Sequence, residues 1–329
     1  MLIKNNFLVV SNYNNDIHWI REYTNNYTLY DRSDTHSENT KVDKRIIFQK
    51  NIGYNLYDYF TFIIDNYDKL PDCILFVKGN IFPRHVTKEY LDKIVNNNFF
   101  TPIEDHGVLT ERWPISFFPP EGSYCEINDS WYLKHYQTKY FHSYNDFLKF
   151  CFKYPIIPRY ISFAPGANYI VPKENILKLP KQFYENLKFF ISYTQLPGEA
   201  HIIERALYTL WTSNFEINKH MLQPLGPDFI GIPKTKETFS LMDLFDKIYI
   251  KSINIFYIIT KNKINLKKIK LVKLFIVYII NLIYNIRKLF ETINEYIQKK
   301  NVFSIFYGKV SRFIFIKTQK LLKNIIKKF

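Results

Sequence analysis

The chain has 329 residues, of which 47% are hydrophobic and 18% aromatic. This length and composition allow one large folded domain with an appendage, and they exclude disorder over most of the chain. The formal net charge is +15, but residues 247–329 hold 19 Lys and Arg against 2 acidic residues, whereas residues 1–246 hold 26 against 28. The basic character therefore belongs to the C-terminal quarter alone, and the isoelectric point of the whole chain indicates no partner.

The first third of the chain alternates predicted strands and helices. A buried strand over 7–10 is followed by helical spacing over 16–26, and a second strand, YTLYD, ends at Asp31. A short strand in IIFQKNIGYN precedes a predicted helix over 55–70, whose apolar residues recur with a helical period. A third buried strand, DCILFVKGN, follows, and then a helix for which Thr87 is a suitable N-cap.

Strands that alternate with helices at this spacing predict an α/β domain with a mostly parallel sheet flanked by helices. Ligands of such sheets bind outside the carboxyl ends of the strands. This rule selects three polar clusters that follow the three strands, at residues 11–15, 31–34 and 78–85.

The rest of the chain changes character twice. Residues 100–165 are rich in Pro and aromatic residues and predict long loops and short strands, with one helix over 143–154. A strand in FAPGANYIVPKENILKLP comes next, followed by two strong helical patterns over 181–192 and 198–214. We predict a domain boundary near residue 240, which separates an α/β domain (1–240) from a basic helical tail (241–329).

Several well-known signatures do not occur in the sequence. It has no P-loop, no G-x-G-x-x-G turn, no H-E-x-x-H, no G-x-S-x-G and no cysteine zinc pattern. The three cysteines form no C-x-x-C pair, which favours buried reduced thiols in a cytosolic protein. The first apolar run, FLVV, has four residues, so the start of the chain is not typical of a signal peptide and we expect a cytoplasmic location.

An ordered set of segments over residues 5–215 resembles one family. The segments are FLVVSNYNNDIHWI, NYTLYDRS, KNIGYNLYDYFTFIIDNYDKLPDCILFVKGNIFPRHV, PGANYIVPKENILKLPKQFYENL and EAHIIERALYTLW. Together they are similar to an uncharacterised glycosyltransferase-like family whose members resemble GT-A nucleotide-sugar transferases. The resemblance implies a GT-A-like, Rossmann-like fold and transfer of a sugar from a nucleotide-sugar donor.

The third strand departs from the pattern of that family. Lys78 and Asn80 stand where the family tends to carry histidines, while His85 is retained. The chain has no clear Asp-x-Asp motif here, because Asp68 and Asp72 lie at the entering end of the strand. Charge stabilisation by fixed cations and by a Mn²⁺ or Mg²⁺ ion therefore both stay open.

Sugar transfer needs a stabilised leaving diphosphate and a pocket for the nucleoside. For the diphosphate we expect the cationic cluster at the end of the third strand, which consists of Lys78, Arg84 and His85 together with the adjacent Asn80. For the nucleoside, ribose or phosphate we expect polar and turn residues after the other strands, namely Ser11, Asn12, Tyr13, Asp31, Asn51 and Gly53. Solvated surface cations and plain turn residues are the alternatives.

The predicted helix over 198–214 carries the candidates for the base that deprotonates the acceptor hydroxyl. His201 lies one helical turn from Glu204, our first choice for the base, and is itself the second choice. On the acceptor side we expect Arg205, Tyr208 and Trp211, which continue the same face. The alternative is a solvated face with an intrahelical Glu–Arg pair.

One tight cluster of metal-competent side chains occurs, at Glu104, Asp105 and His106. It is a candidate site for the divalent ion. Three adjacent residues rarely converge on one ion without partners from elsewhere, so this site is the weaker alternative to fixed cations.

The last residues, KLLKNIIKKF, have the pattern of a basic amphipathic helix. At about 100° per residue, the apolar side chains fall on one arc and Lys320, Lys323, Lys327 and Lys328 on the other. Such helices lie on anionic membrane surfaces. A helical accessory domain is an alternative, and nucleic acid is a less favoured one because no nucleic-acid-binding motif occurs.

The sequence thus favours a glycosyltransferase held at the cytoplasmic membrane face by its tail, with a glycan or lipid-linked acceptor. A non-catalytic sugar- or nucleotide-binding module is the first alternative. A membrane- or nucleic-acid-binding scaffold is the second.

Overall fold

A computed structural model of the chain describes residues 2–34, 43–111, 115–119 and 123–232. The predicted boundary near residue 240 and the predicted tail lie outside the described residues. Among those that are described, no helix is long and apolar enough to cross a membrane.

The larger sheet has six strands, which are β1 (Phe7–Asn12), β2 (Tyr27–Asp31), β3 (Ile46–Phe48), β4 (Cys73–Lys78), β5 (Thr101–Pro102) and β9 (Tyr169–Pro172). Their spatial order is β3-β2-β1-β4-β9-β5. The first four are parallel, while β9 runs antiparallel to both of its neighbours. The predicted α/β class is therefore confirmed, with a sheet that is mixed.

A smaller antiparallel sheet lies in the aromatic-rich middle of the chain. It consists of β6 (Ser116–Phe117), β7 (Cys125–Ile127) and β8 (Tyr160–Ser162), in that spatial order. Its strands are as short as the sequence predicts for this region.

Seven α-helices surround the sheets in the described part of the chain. They are α1 (Trp19–Tyr23), α2 (Tyr54–Asp65), α3 (Lys88–Ile94), α4 (Tyr144–Cys151), α5 (Lys173–Ile176), α6 (Lys181–Ile191) and α7 (Gly198–Thr212). Short 3-10 turns cover Tyr67–Lys69, Trp131–Lys134 and Lys219–Leu222.

Alternating side chains of the central strands separate two cores. Leu8 and Val10 of β1 point to the face that also buries residues of α1 and α3, whereas Val9 points to the face that buries residues of α2, α6 and α7. Successive side chains of a strand point to opposite faces, so a strand buried on both sides reads as a continuous apolar run. This is why FLVV and CILFV predict their strands correctly.

The predicted helices over 16–26 and 55–70 are shorter in the structure, for local reasons. The segment before α1 is held by a turn in which Asp16 Oδ1 accepts a hydrogen bond from the His18 N–H, at 2.9 Å. At the end of α2, the Asn66 amide donates back to the Phe62 carbonyl at 2.9 Å, and a 3-10 turn follows. The Thr87 cap of α3 is confirmed, since its hydroxyl accepts the Tyr90 N–H at 3.2 Å.

The parallel strands bring the predicted polar clusters to one edge of the sheet. Asn12 at the end of β1 pairs with Asp31 at the end of β2, and Ser11 pairs with Lys78 at the end of β4. The three cysteines are free and buried, as predicted.

Candidate functional site

The ends of β1 and β2 form a buried polar cluster. The Asn12 amide donates to Asp31 Oδ1 at 3.2 Å, and the Ser33 hydroxyl donates to the same oxygen at 2.6 Å. Asn12 and Asp31 are only 3% and 6% exposed. Carboxylate and amide groups at this edge can bind ribose hydroxyls or base N–H groups after a small rearrangement.

Tyr13 differs from these neighbours because its ring is exposed. Its hydroxyl donates to Asp34 Oδ2 at 3.1 Å. This hydrogen bond, with the charge of Asp34, raises the pKa of Tyr13. An exposed ring beside a polar cluster is suited to stacking on a base.

A buried ion pair that the sequence analysis missed lies beneath this cluster. Arg32 Nε lies 3.0 Å from Asp58 Oδ2, and the side chains are 6% and 0% exposed. The Ser11 hydroxyl donates to Asp58 Oδ2 at 2.5 Å and accepts from Arg32 Nη2 at 3.0 Å. Burial raises the pKa of Asp58 to about 7, although Arg32 and Ser11 oppose the rise. Ser11 is thus part of a network that stabilises the fold. Asn51 belongs to the same network, since its Oδ1 accepts a hydrogen bond from Arg32 Nη1 at 3.4 Å.

Lys78 ends β4 and is half-buried. Its ammonium donates to the Tyr54 hydroxyl at 3.1 Å and lies 4.2 Å from the centroid of the Tyr54 ring. Its backbone N–H donates to Asn168 Oδ1 at 3.1 Å. The structure therefore places a cation, held by a tyrosine, at the sheet edge where ligands of parallel sheets bind.

The turn before α2 explains how Tyr54 reaches Lys78. Gly53 has φ 68° and Tyr54 φ 60°, so the chain enters α2 through two left-handed residues. A Cβ atom at Gly53 would lie 2.8 Å from the Tyr57 Cβ and 2.9 Å from the Ile191 carbonyl oxygen. Gly53 therefore lies in a tight turn that leaves no room for a side chain. Left-handed backbone is strained at a tyrosine, and such strain occurs at functional positions.

Gly166 is the point where four polar side chains meet. Its N–H donates to Glu204 Oε1 at 2.5 Å, and its carbonyl accepts from the Asn55 amide at 3.1 Å. With φ 88°, its Cα faces the His85 ring and the Asn168 amide so closely that a Cβ atom would lie 2.6 Å from His85 Cε1. The PGAN turn thus joins β4 and α7 into one site.

His85 is buried, and burial together with the charge of Lys78 lowers its pKa to about 4. It is therefore uncharged at neutral pH. In this state His85 adds no positive charge to the predicted cluster, and Arg84 is exposed. Asn80 is half-buried at the same strand end.

Glu204 lies on α7 and is 8% exposed. Burial alone would raise the pKa of Glu204, but the neighbouring His201, Lys78 and Arg205 outweigh it and lower the pKa to about 2. Its Oε2 lies 3.7 Å from His201 Nδ1, which is too long for a hydrogen bond. Glu204 is therefore ionised throughout the neutral range.

His201 is surrounded by tyrosine rings. The ring centroid of Tyr136 lies 3.8 Å from that of His201, and those of Tyr54 and Tyr132 lie 5.6 and 6.3 Å away. Because Tyr54 also holds Lys78, the strand-end cation and the α7 histidine share one tyrosine. Tyr54, a residue that the sequence analysis did not select, thus links two of the predicted site residues.

Arg205 is 7% exposed and points into the second sheet. Its Nη2 donates to Glu126 Oε2 on β7 at 2.9 Å, and the guanidinium carbon lies 3.7 Å from the centroid of the Tyr132 ring. These contacts tie α7 to β7, so Arg205 positions the helix. The predicted acceptor-side role is replaced by this structural one.

The end of α7 belongs to the core. Trp211 is 0% exposed, its ring stacks on Phe76, and its indole N–H donates to the Tyr184 hydroxyl at 3.3 Å. The prediction that Trp211 lines a cleft is wrong because the helix is buried on both sides here. Tyr208 is half-buried with its ring edge-on to Phe100.

The predicted metal residues make separate contacts. Asp105 Oδ2 accepts the Thr87 N–H and hydroxyl at 2.8 and 2.6 Å, and His106 stacks on Phe118 with centroids 3.7 Å apart. Glu104 Oε2 accepts the Tyr124 N–H at 2.8 Å, while burial raises its pKa to about 8. Over the described ranges, no group of three or more His, Cys, Asp or Glu is arranged to hold a metal ion.

Residues 8–224 match a protein family described as "Protein of unknown function (DUF3431)". The chain belongs to this family. No curated protein and no solved structure matches the chain. The DUF3431 region includes every candidate site residue described above, from Ser11 to Trp211, and it ends before the basic tail.

Sequence patterns contain some signal for the missed residues of the DUF3431 region. Asp58 is a carboxylate flanked by apolar residues inside α2, and such a residue needs a buried partner. The PGAN turn between two predicted apolar segments marks a position that favours glycine with φ above zero. The identity of the partners, Arg32 and Glu204, depends on contacts across the sheet that no local pattern contains.

Proposed function

We propose that the chain transfers a sugar from a nucleotide-sugar donor to a glycan or lipid-linked acceptor. One observation carries the proposal. The Lys78 backbone N–H and Glu204 of α7 both bond to the Gly166 turn, and the Lys78 ammonium and His201 both contact Tyr54. A cation, a carboxylate and a histidine at the ligand edge of a parallel sheet are the groups that transfer from a nucleoside diphosphate needs.

Lys78 is the group that would stabilise the leaving diphosphate. Its ammonium already affects the site electrostatically, since it lowers the pKa values of both Glu204 and His85. The ammonium donates to one neutral acceptor, the Tyr54 hydroxyl. A phosphate oxygen can take the place of this hydroxyl, and its negative charge would make the hydrogen bond from Lys78 stronger. A Mn²⁺ or Mg²⁺ ion bound together with the donor is the alternative source of positive charge.

The structure changes our preferred base. A carboxylate with a pKa near 2 is a weak base at neutral pH, because efficient proton transfer requires a pKa near the working pH. We assign the base role to His201, with Glu204 stabilising the imidazolium that forms when His201 takes the acceptor proton. A buried carboxylate beside an imidazole favours its protonated form through charge.

The sheet supports a GT-A-like fold without deciding it. Four parallel strands in the order β3-β2-β1-β4, followed by an antiparallel strand, give the open ligand edge that such a fold uses. The polar cluster of Asn12, Tyr13 and Asp31 would then receive the nucleoside, next to the diphosphate at Lys78.

The membrane is the proposed location of the acceptor. The support is the basic amphipathic pattern of residues 320–329, with apolar and lysine residues on opposite arcs. In the full chain, we expect replacement of Lys320, Lys323, Lys327 and Lys328 by Gln to reduce flotation with phosphatidylserine vesicles. Equal flotation of this variant and the unmodified chain would rule out the tail as an electrostatic anchor.

A second candidate function is a non-catalytic module that binds a sugar or nucleotide. The observation that favours it is the hydrogen bond from the Gly166 N–H to Glu204, at 2.5 Å, because it gives the carboxylate a purely structural use. This module would bind nucleotides without turning them over.

The deciding experiment measures turnover of a nucleotide-sugar panel, with Mn²⁺ or with EDTA. We expect transfer or slow donor hydrolysis by the full chain. We expect His201→Gln to lower kcat by about 100-fold or more, since general-base catalysis contributes about 10² to 10⁴. His18→Gln, at an exposed position, is the matched control. Nucleotide binding without any turnover would instead support the non-catalytic module.

A further inference from the structure

Two of the most exposed large apolar side chains lie on one loop. Tyr154 is 97% exposed and Ile156 is 76% exposed, with Pro155 between them. The loop follows α4 and precedes β8, outside the polar edge that forms the candidate site. Exposed apolar side chains that are adjacent in this way indicate an interaction surface.

Both ends of the loop are fixed to the domain. Phe152 is buried and pairs with Ile217, and the Lys153 N–H donates to the Glu216 carbonyl at 2.8 Å. At the other end, the Pro158 carbonyl accepts from the Asn128 amide at 2.8 Å. Tyr154 itself has φ 47°, so the chain turns through a left-handed residue there. The loop therefore presents its apolar side chains with little remaining freedom to lose on binding.

The surroundings of the loop carry positive charge. Residues 216–220 run beside 149–153, because the Asn218 N–H and amide donate to the carbonyls of Cys151 and Lys149. This pairing brings the exposed Lys219 to the same end of the domain as the exposed Lys149. Lys153 forms an ion pair with Glu216, so that pair adds no net charge.

We propose that residues 153–157 form an insertion loop that enters the headgroup region of an anionic membrane. Tyrosine is favoured at membrane–water interfaces, where its ring is buried and its hydroxyl stays hydrated. Isoleucine adds apolar area, and Lys149 and Lys219 face the negative surface. Stable protein interfaces bury about 20 to 30 residues a side, which is far more than this loop offers.

The insertion loop would be a second membrane-binding segment of the chain, in addition to the basic tail. A single weak membrane signal gives only marginal, reversible binding, and stable anchoring takes two. The loop supplies a second signal, located in the DUF3431 region and separate in sequence from residues 320–329. It would fix how this domain faces the bilayer, whether or not the domain transfers sugar.

The test uses the full chain and vesicles of phosphatidylcholine with phosphatidylserine. We expect Ile156→Asp and Tyr154→Asp each to weaken vesicle binding by about tenfold, since burying one apolar side chain changes partitioning by about that factor. Phe99→Asp is the matched control, because Phe99 is also an exposed apolar residue (59%) but lies between α3 and β5. It should leave vesicle binding unchanged.

A second measurement reports insertion directly. In Tyr154→Trp, fluorescence should be quenched by brominated lipids more strongly than in the unmodified chain, while Phe99→Trp should show no added quenching. Unchanged binding of Ile156→Asp, or no added quenching at position 154, would overturn the proposal. A change in the sedimentation mass of Ile156→Asp with unchanged vesicle binding would overturn it too, and would identify the loop as a contact between protein molecules. Loss of sugar transfer affects none of these readouts.

Discussion

Glu204 Oε2 lies 3.7 Å from His201 Nδ1, while the other oxygen of the same carboxylate accepts the Gly166 N–H. One carboxylate thus links α7 to the PGAN turn and faces the histidine that we propose as the base. The charges of Lys78 and Arg205, together with the neighbouring His201 ring, keep it ionised despite its burial. The ionisation of Glu204 should therefore appear in the pH dependence of the free energy of unfolding.

Glu204 should make the protein sensitive to acid. Its pKa falls from 4.5 to about 2 on folding, so its contribution is fully present above pH 4.5 and is lost as the pH falls through 2. The contribution is on the order of 3 kcal/mol, at about 1.4 kcal/mol per pKa unit. We expect Glu204→Gln to flatten the free energy of unfolding between pH 5 and pH 2, measured with urea.

The control for this prediction is Asp72→Asn. The Asp72 carboxylate also has a lowered pKa, because of its hydrogen bond and ion pair with Lys173, but it is exposed. Solvent screens such pairs, so this variant should change the acid curve much less. Indistinguishable acid curves for Glu204→Gln and the unmodified chain would contradict the assigned charge balance.

The buried ion pair beneath the polar cluster should be costly to break. In Arg32→Met the Asp58 carboxyl stays buried without its cation, and because its pKa is already about 7 beside Arg32 it takes up a proton at neutral pH. We expect the lost partner to lower the free energy of unfolding by about 2 to 3 kcal/mol. Arg45→Met breaks an otherwise similar pair with Asp43, in which Arg45 is 40% exposed, and should cost about 1 kcal/mol or less. Equal losses in chemical denaturation would show that burial does not distinguish the two pairs.

Gly166 should tolerate no side chain. Alanine there requires φ near 88° and a Cβ atom 2.6 Å from His85 Cε1 and 2.8 Å from Asn168 Nδ2. We expect Gly166→Ala to lower the free energy of unfolding by about 2 kcal/mol or more. Gly226→Ala is the control, because its Cβ would meet nothing within 4 Å, and it should change stability by about 0.5 kcal/mol or less.

Glu104 should lower the stability of the protein at alkaline pH. Its folded pKa is raised from 4.5 to about 8, so the folded state resists ionisation. The resulting cost is absent below pH 4.5, grows as the pH rises, and is complete above pH 8. Glu104→Gln keeps an oxygen for the Tyr124 N–H and should raise the free energy of unfolding on the order of 4 kcal/mol at pH 8, at about 1.4 kcal/mol per pKa unit.

The same substitution should have no effect near pH 4, where the carboxyl is protonated in both states. Thermal unfolding of both proteins at pH 4 and pH 8 checks this. An advantage of Glu104→Gln that is equal at both pH values would contradict the pKa shift, and a loss of stability at pH 8 would indicate a cation bound to Glu104.

Local sequence patterns predict much of the fold and less of the site. Continuous apolar runs identify β1 and β4, and the Thr87 cap identifies the start of α3, because these signals depend on neighbouring residues only. The direction of β9 was not predictable in this way. It depends on pairing between residues about 100 positions apart, such as Cys73 with Pro172.

The candidate site shows the same division. The end of β4 and the His201–Glu204 spacing were predicted, since the strand rule and the helical period place them. Trp211 was misplaced because the helical period shows which residues share a face, and α7 is buried on more than one face. Tyr54 and Arg32 were missed because the role of each depends on a contact with a residue distant in sequence. Tyr54 contacts Lys78, and Arg32 contacts Asp58.

The measurement closest to the central claim is the thermal shift that nucleotide-sugars cause in the full chain and in Lys78→Met. We expect at least one donor to raise Tm in the unmodified protein, and we expect this shift to persist in EDTA if Lys78 supplies the charge. Lys78→Met should lose the shift, whereas Lys93→Met, at an exposed position of α3, should keep it. No shift with any donor, or an equal shift in Lys78→Met, would contradict the proposed role of Lys78 at the donor site.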